Sequence, residues 1–261
     1  MARKAASKSV TPATSANAVA LVDQDLAAEA AALRNQISAP AGNKIRVERT
    51  GAFTLPDGTD LGDEFQAVVI DFYSRNMFYS SPYDANNITP PDCYAVGKDK
   101  STLAPNDDSP AKQADSCATC PMNAFKSGAG KAKACQNRYW VGLVIVDPDD
   151  PEAHVSAEAP LYVLDLSPSN LRSFEAFVAG VGRTLNGPPI KAIVTVKAKN
   201  VGTYAAVTFS NALPNPDYAQ QVQRRPEATD VLTRTPDFSS MAALNGPKSR
   251  APARRQAGNR R

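Results

Sequence analysis

The stretch 44-KIRVERTGAFTLPDGTDLGDEFQAVVIDFYSRNMFYS-80 sets the fold class, because its apolar residues recur with a period of two. Alternation of that kind is the mark of strands with one face on a core. Pro56-Asp57-Gly58 supplies a turn, and β-branched and aromatic residues fill the longer run after it, so the segment reads as strand, turn, strand. Working outward, further apolar strands are expected at 138-RYWVGLVIVD-147 and 159-APLYVLDLS-167. Between these strands and the last pair, 167-SPSNLRSFEAFVAGVG-182 switches to helical spacing. Leu171, Phe174, Phe177, Val178 and Val181 form its apolar face, and Ser167 or Ser169 is placed to cap it. Two strands, 190-IKAIVTVKAKN-200 and 204-YAAVTFSN-211, close the pattern through a short Asn-Val-Gly turn. The expected architecture is mainly β with one or two helices.

The flanks differ in composition. Residues 1–17 are rich in Ala, Ser and Thr and offer little to bury, so disorder is expected there. Val19, Val22, Leu26, Ala30, Leu33 and Ile37 then recur at helical spacing up to Pro40, predicting an amphipathic helix that packs on its own domain or on a partner, a second copy included. After residue 216 a short charged helix is expected over 217–225, and beyond Pro236 a Ser/Pro/Ala/Gly/Arg-rich tail. The domain reading is therefore 1–43 as tail and helix, 44–216 as the β domain with an insert at about 90–138, and 217–261 as helix and basic tail.

No apolar run reaches the roughly 20 residues of a membrane-spanning helix, and polar residues interrupt the start of the chain where a signal peptide would be continuous. The expectation is a soluble cytoplasmic protein, in the host cytoplasm if viral, with no membrane partner. The net charge of +3 is unevenly spread. Arg3, Lys4, Lys8, Lys248, Arg250, Arg254, Arg255, Arg260 and Arg261 have no acidic neighbour; setting those nine aside leaves 20 of the 29 basic residues against 26 acidic ones. Basic ends around an acidic middle suit a polyanion partner or serve as solubilising tails.

The four cysteines, Cys93, Cys117, Cys120 and Cys135, are spaced C-x23-C-x2-C-x14-C. A CxxC turn can offer two thiolates to one tetrahedral ion, and the two flanking cysteines can complete a closed, structural four-sulfur site. Zinc is the expected ion and an iron–sulfur cluster the alternative, since four cysteines also ligate clusters. A metal would order a polar segment too poor in apolar residues to fold by burial. A redox CxxC would need a helix start in a βαβ context, and a cysteine nucleophile a histidine partner; the one histidine, His154, sits in an acidic loop with no motif around it. The stretch GAGKAKAC lacks phosphate-loop spacing, and no Ser/His/Asp grouping or carboxylate dyad has motif support, so no enzyme is expected.

Around the sulfurs, Phe125 precedes Lys126, Lys131, Lys133, Arg138, Tyr139 and Trp140, while the long strand before them carries Phe72, Tyr73, Arg75, Phe78 and Tyr79 with Tyr83 just beyond. Cations interleaved with rings are what single-strand binders use, although alternate rings on a strand also face a core. Tyr73, Arg75, Tyr79, Lys126, Lys131, Lys133, Arg138, Tyr139 and Trp140 are the candidate nucleic-acid contacts.

The order hairpin, PPDCYAVG, polar loop, CATCPMNAF, Gly/Lys stretch and KACQNRYWVGLVIV over residues 44–212 resembles a tailed-phage four-cysteine protein and, more loosely, the zinc-containing single-stranded DNA-binding proteins of phages. That resemblance implies an OB-like β-barrel with an inserted four-cysteine metal subdomain. It also implies metal ligation by Cys93, Cys117, Cys120 and Cys135, and single-stranded DNA binding in phage replication or recombination beside proteins of those processes. In two respects the chain departs from the phage proteins: no histidine lies near its cysteines, and it ends in basic RAPARRQAGNRR where they end in an acidic tail. The competing reading is a metal-stabilised structural or adaptor protein that binds other proteins.

Overall fold

The computed structural model describes residues 43–82, 89–146 and 159–234. The amphipathic helix expected over Val19–Ile37 lies outside the described residues, as do Tyr83, His154 and the basic tail.

The described chain is mainly β, a curled half-barrel sheet with two helices. Its strands are β1 Lys44–Val47, β2 Phe53–Thr54, β3 Asp60–Gly62, β4 Glu64–Phe78, β5 Cys93–Gly97, β6 Gln136–Ile145, β7 Leu161–Leu166, β8 Ala192–Asn200 and β9 Ala205–Pro214. Helix α1 spans Leu171–Thr184 and α2 Arg225–Thr233. Strand order is β3-β2-β1-β7-β6-β4-β8-β9; every pairing is antiparallel except β1 with β7.

The 15-residue β4 organises the rest. One side pairs with β6 from Ala67 to Met77, while on the other Glu64–Val68 pairs with β8 and Ser74–Phe78 pairs with β5. An irregularity between Val69 and Asp71 inserts a residue into this strand and exchanges its faces. Before it Ala67 and Val69 join one core and Val68 and Ile70 the other; after it Phe72 joins the first and Tyr73 the second. Each face of the sheet therefore has its own apolar layer.

Helix α1 covers the first face through the residues its spacing predicts, with Phe174, Phe177 and Val181 buried. The Phe174 ring centroid lies 5.0 Å from that of Phe72, 5.5 Å from Tyr139 and 5.2 Å from Phe209. Its start differs from expectation: Pro168–Asn170 makes a 3-10 turn and no serine side chain caps α1. The buried Asn170 instead accepts from Val207 N–H at 3.0 Å and donates to the Ala205 carbonyl at 3.2 Å, so the helix start is tied to β9. Helix α2 covers the second face through Ala228 and Leu232. The segment expected as a helix over 217–225 makes one α-turn at Tyr218–Gln221, a 3-10 turn at Val222–Arg224, and continues as α2 to Thr233. Close approach of α2 to β6 depends on Gly142, where an added Cβ would stand 3.2 Å from Leu232 Cδ1.

The segment that reads as irregular polar sequence contains β5: CYAVG continues the sheet beside β4. Paired strands satisfy its backbone groups, which its composition alone does not signal. No helix among the described residues is long and apolar enough to cross a membrane.

Candidate metal centre and basic aromatic face

Three strands and a loop bring the cysteines together. Cys93 opens β5 opposite Phe78 at the end of β4, Cys135 immediately precedes β6, and Cys117 and Cys120 lie on the loop between β5 and β6. All four line one cavity with Asn76, Phe78, Tyr94, Ala95, Pro105 and Met122 among their neighbours. Backbone bonds hold the loop there: Cys117 N–H donates to the Leu103 carbonyl at 2.9 Å, Cys135 N–H to Met122 at 2.8 Å, and Asn123 N–H to Cys120 at 3.0 Å. All four are free thiols.

A polar network braces this arrangement. Asn137 Nδ2 donates to Asn76 Oδ1 at 2.7 Å and to Asn123 Oδ1 at 3.0 Å, and Asn123 Nδ2 donates to the Cys117 carbonyl at 2.7 Å. Lys133 Nζ donates to Asn123 Oδ1 at 3.1 Å and Asn137 Oδ1 at 2.9 Å, so a residue expected to contact phosphate instead secures the loop to the sheet. Asn76, Asn123 and Asn137 were not singled out as site residues by sequence; their signal is proximity to cysteines, Asn123 three residues after Cys120 and Asn137 two after Cys135.

Burial pushes the Cys135 thiol up to about 12, and its neighbours Cys117, Cys120 and Cys93 push the same way against Lys133. Burial also raises Cys117, opposed by a hydrogen bond to Asn76 and reinforced by Cys93 and Cys120. Cys117 and Cys135 thus both lie close enough to Cys93 and Cys120 to feel their charge. Even so, among the described residues no three His, Cys, Asp or Glu side chains stand in a metal-ligating arrangement. Convergence on one cavity is what this fold provides. Soft sulfur donors in such a set suit zinc or an iron–sulfur cluster.

The second feature lies at the same end of the sheet on the other face. Arg75, 2% exposed, places its guanidinium carbon 3.4 Å from the centroid of the half-buried Trp140 ring. Lys44 Nζ is 5.5 Å from that ring, and Arg138 faces Arg75 across the β4–β6 pair. Asp165, opposite Trp140 on β7, accepts from Lys44 Nζ at 2.6 Å and Arg138 Nε at 2.7 Å. Burial opposes its ionisation, but Lys44 and Arg138 outweigh that and hold the carboxyl below the usual range. Burial lowers Arg75 to about 10, with Asp165 and Tyr94 opposing, so it stays cationic at neutral pH. Three cations stand against one carboxylate here. The half-buried Tyr79, raised by burial, is near enough to feel Arg138 and Asp165.

Two expected ring contacts are corrected. Tyr73 is 8% exposed in the second core, with its hydroxyl 3.3 Å from Thr229 Oγ1. Tyr139 is 7% exposed in the first core, donating to Glu175 Oε1 at 2.9 Å. Both lie where alternation turns the ring toward a helix, so neither offers a face to a base. Lys126 and Lys131 remain exposed, on the loop before Cys135. Lys44 is a cation beside Trp140 that sequence reasoning missed, brought in from another strand by the parallel β1–β7 pairing. The chain matches no protein-family model, no curated protein and no solved structure.

Proposed function

We propose that the chain is a non-enzymatic single-stranded DNA-binding protein whose OB-like β domain carries a structural four-cysteine metal site. One observation carries this reading: the half-buried Trp140 ring, backed by the buried Arg75 guanidinium, stands beside the half-buried Lys44 and Arg138, a stacking surface with two cations to follow a phosphate backbone. The resemblance of residues 44–212 supports a place in phage replication or recombination, with proteins of those processes, or further copies of the chain, as partners. Cys93, Cys117, Cys120 and Cys135 would hold one zinc ion with no open position, leaving it a role in shaping the β5–β6 loop.

Trp140 is the single tryptophan, so its fluorescence is a direct probe. Titration with an unlabelled oligonucleotide at low salt is expected to quench it, and added salt to reverse the quenching as counterions return. Absence of binding at low salt refutes the reading. The same four thiols favour one second reading, an iron–sulfur protein of nucleic-acid metabolism. Visible absorption by the purified protein separates the two, because a cluster is coloured and zinc is not.

A further inference from the structure

Phe125 is 78% exposed, the most exposed large apolar side chain among the described residues. Its loop is built rather than slack. Lys126 N–H and Gly128 N–H both donate to the Ala132 carbonyl, at 3.0 and 3.1 Å, and Ala132 N–H donates to Ala129 at 3.1 Å. Ser127 Oγ lies 2.8 Å from the Met122 carbonyl and 2.7 Å from that of Ala124, and accepts from Ala134 N–H at 2.9 Å. Gly128 lies so close to the returning chain that a Cβ there would be 2.9 Å from Ala134 N, and Lys126 adopts a left-handed φ of 72° to make the turn. A solvent-facing ring on such a frame has no core to serve.

Its surroundings are cationic. Lys133 Nζ, fixed by Asn123 and Asn137, stands 5.0 Å from the Phe125 ring centroid, and Lys126 and Lys131 are exposed on the same loop. Residues 116–138 include these three lysines and Arg138 but no acidic side chain. We propose that Phe125 is a base-stacking residue for single-stranded nucleic acid, with Lys126 and Lys131 meeting the adjoining phosphates, at a contact separate from Trp140. This rests on the single-strand-binding reading. A lone ring amid cations offers too little apolar area to hold a membrane surface, whereas one base needs only one ring face.

The test is fluorescence anisotropy of a labelled oligonucleotide with the full-length protein and its Phe125→Ala and Phe125→Trp variants. Stacking on one base is worth about 1–3 kcal/mol, so Phe125→Ala is expected to bind roughly 5- to 150-fold more weakly, while Phe125→Trp keeps its affinity. An oligonucleotide of abasic sites should bind wild type and Phe125→Ala alike, which a structural role for the ring would not produce. Equal affinity of Phe125→Ala and wild type for the normal strand overturns the stacking role and leaves the Trp140 reading intact. Failure of wild type to bind any strand defeats both. Loss by Phe125→Ala of binding to anionic phospholipid vesicles, with strand binding unchanged, assigns the ring to a membrane and likewise overturns the proposal.

Discussion

Arg75, itself buried, stacks on the half-buried Trp140 ring, with the guanidinium carbon 3.4 Å from the ring centroid, and also donates to the Arg234 carbonyl just past α2. One side chain thereby joins the sheet face to the end of its covering helix. Lysine could keep the charge but not the planar stack or the second donor direction. Arg75→Lys is expected to destabilise the fold by about 1–2 kcal/mol, the scale of a desolvated cation–ring contact. Urea denaturation measures this, and an unchanged midpoint would show that the stack contributes nothing.

Asp165 predicts a pH dependence. Its folded carboxyl titrates below the ordinary value of about 4, so the folded state favours the ionised form. The resulting stability is complete above that ordinary value and disappears as pH falls through the lower folded one. Asp165→Asn should cost about 2–3 kcal/mol at neutral pH, less than a fully buried pair because Lys44 is 37% exposed. The difference from wild type should close in acid. A gap independent of pH would assign the loss to packing.

The β character and the main strands were legible because their period is two, and α1 because Phe174, Phe177 and Val181 repeat at helical spacing. Three things were not. Strand β5 is short and bounded by polar loop, so only its partner β4 reveals it. The irregularity at Val69–Asp71 decides which rings of β4 face α1 and which face α2, and a shift of one residue leaves no mark in composition. Lys44 reaches Trp140 through a pairing of β1 with β7, two segments more than a hundred residues apart. Candidate cations were therefore readable as residue types, whereas their division between the two sheet faces was not.

Gly142 fixes how closely α2 can lie on β6. A Cβ there would meet Leu232 Cδ1 at 3.2 Å, the Asp71 carbonyl at 3.5 Å and Ala228 Cβ at 3.6 Å, so the Leu232 side chain must give by a few tenths of an ångström. Overpacking of this kind costs about 1–3 kcal/mol. Gly142→Ala should lower the thermal midpoint, and Gly142→Ala with Leu232→Val should recover part of the loss. No recovery in the double variant would place the strain in the backbone.

Metal removal tests the four-cysteine site. Burial and neighbouring sulfurs keep Cys135 and Cys117 protonated, so loading an ion must drive protons off and the affinity should rise steeply with pH. The described residues between β5 and β6 hold a single regular element, the 3-10 turn at Pro121–Asn123, and the Asn76–Asn123–Asn137 network braces them in place. Elemental analysis should find zinc in the purified protein, and a strong chelator should lower the thermal midpoint by several degrees. Cobalt(II) substitution should give thiolate charge-transfer absorption that weakens in Cys93→Ser and Cys120→Ser alike, since Cys93 comes from the sheet and Cys120 from the loop. A protein that carries no metal and keeps its midpoint in chelator would leave the four thiols as packing residues of the cavity, and the loop would then owe its shape to the asparagine network alone.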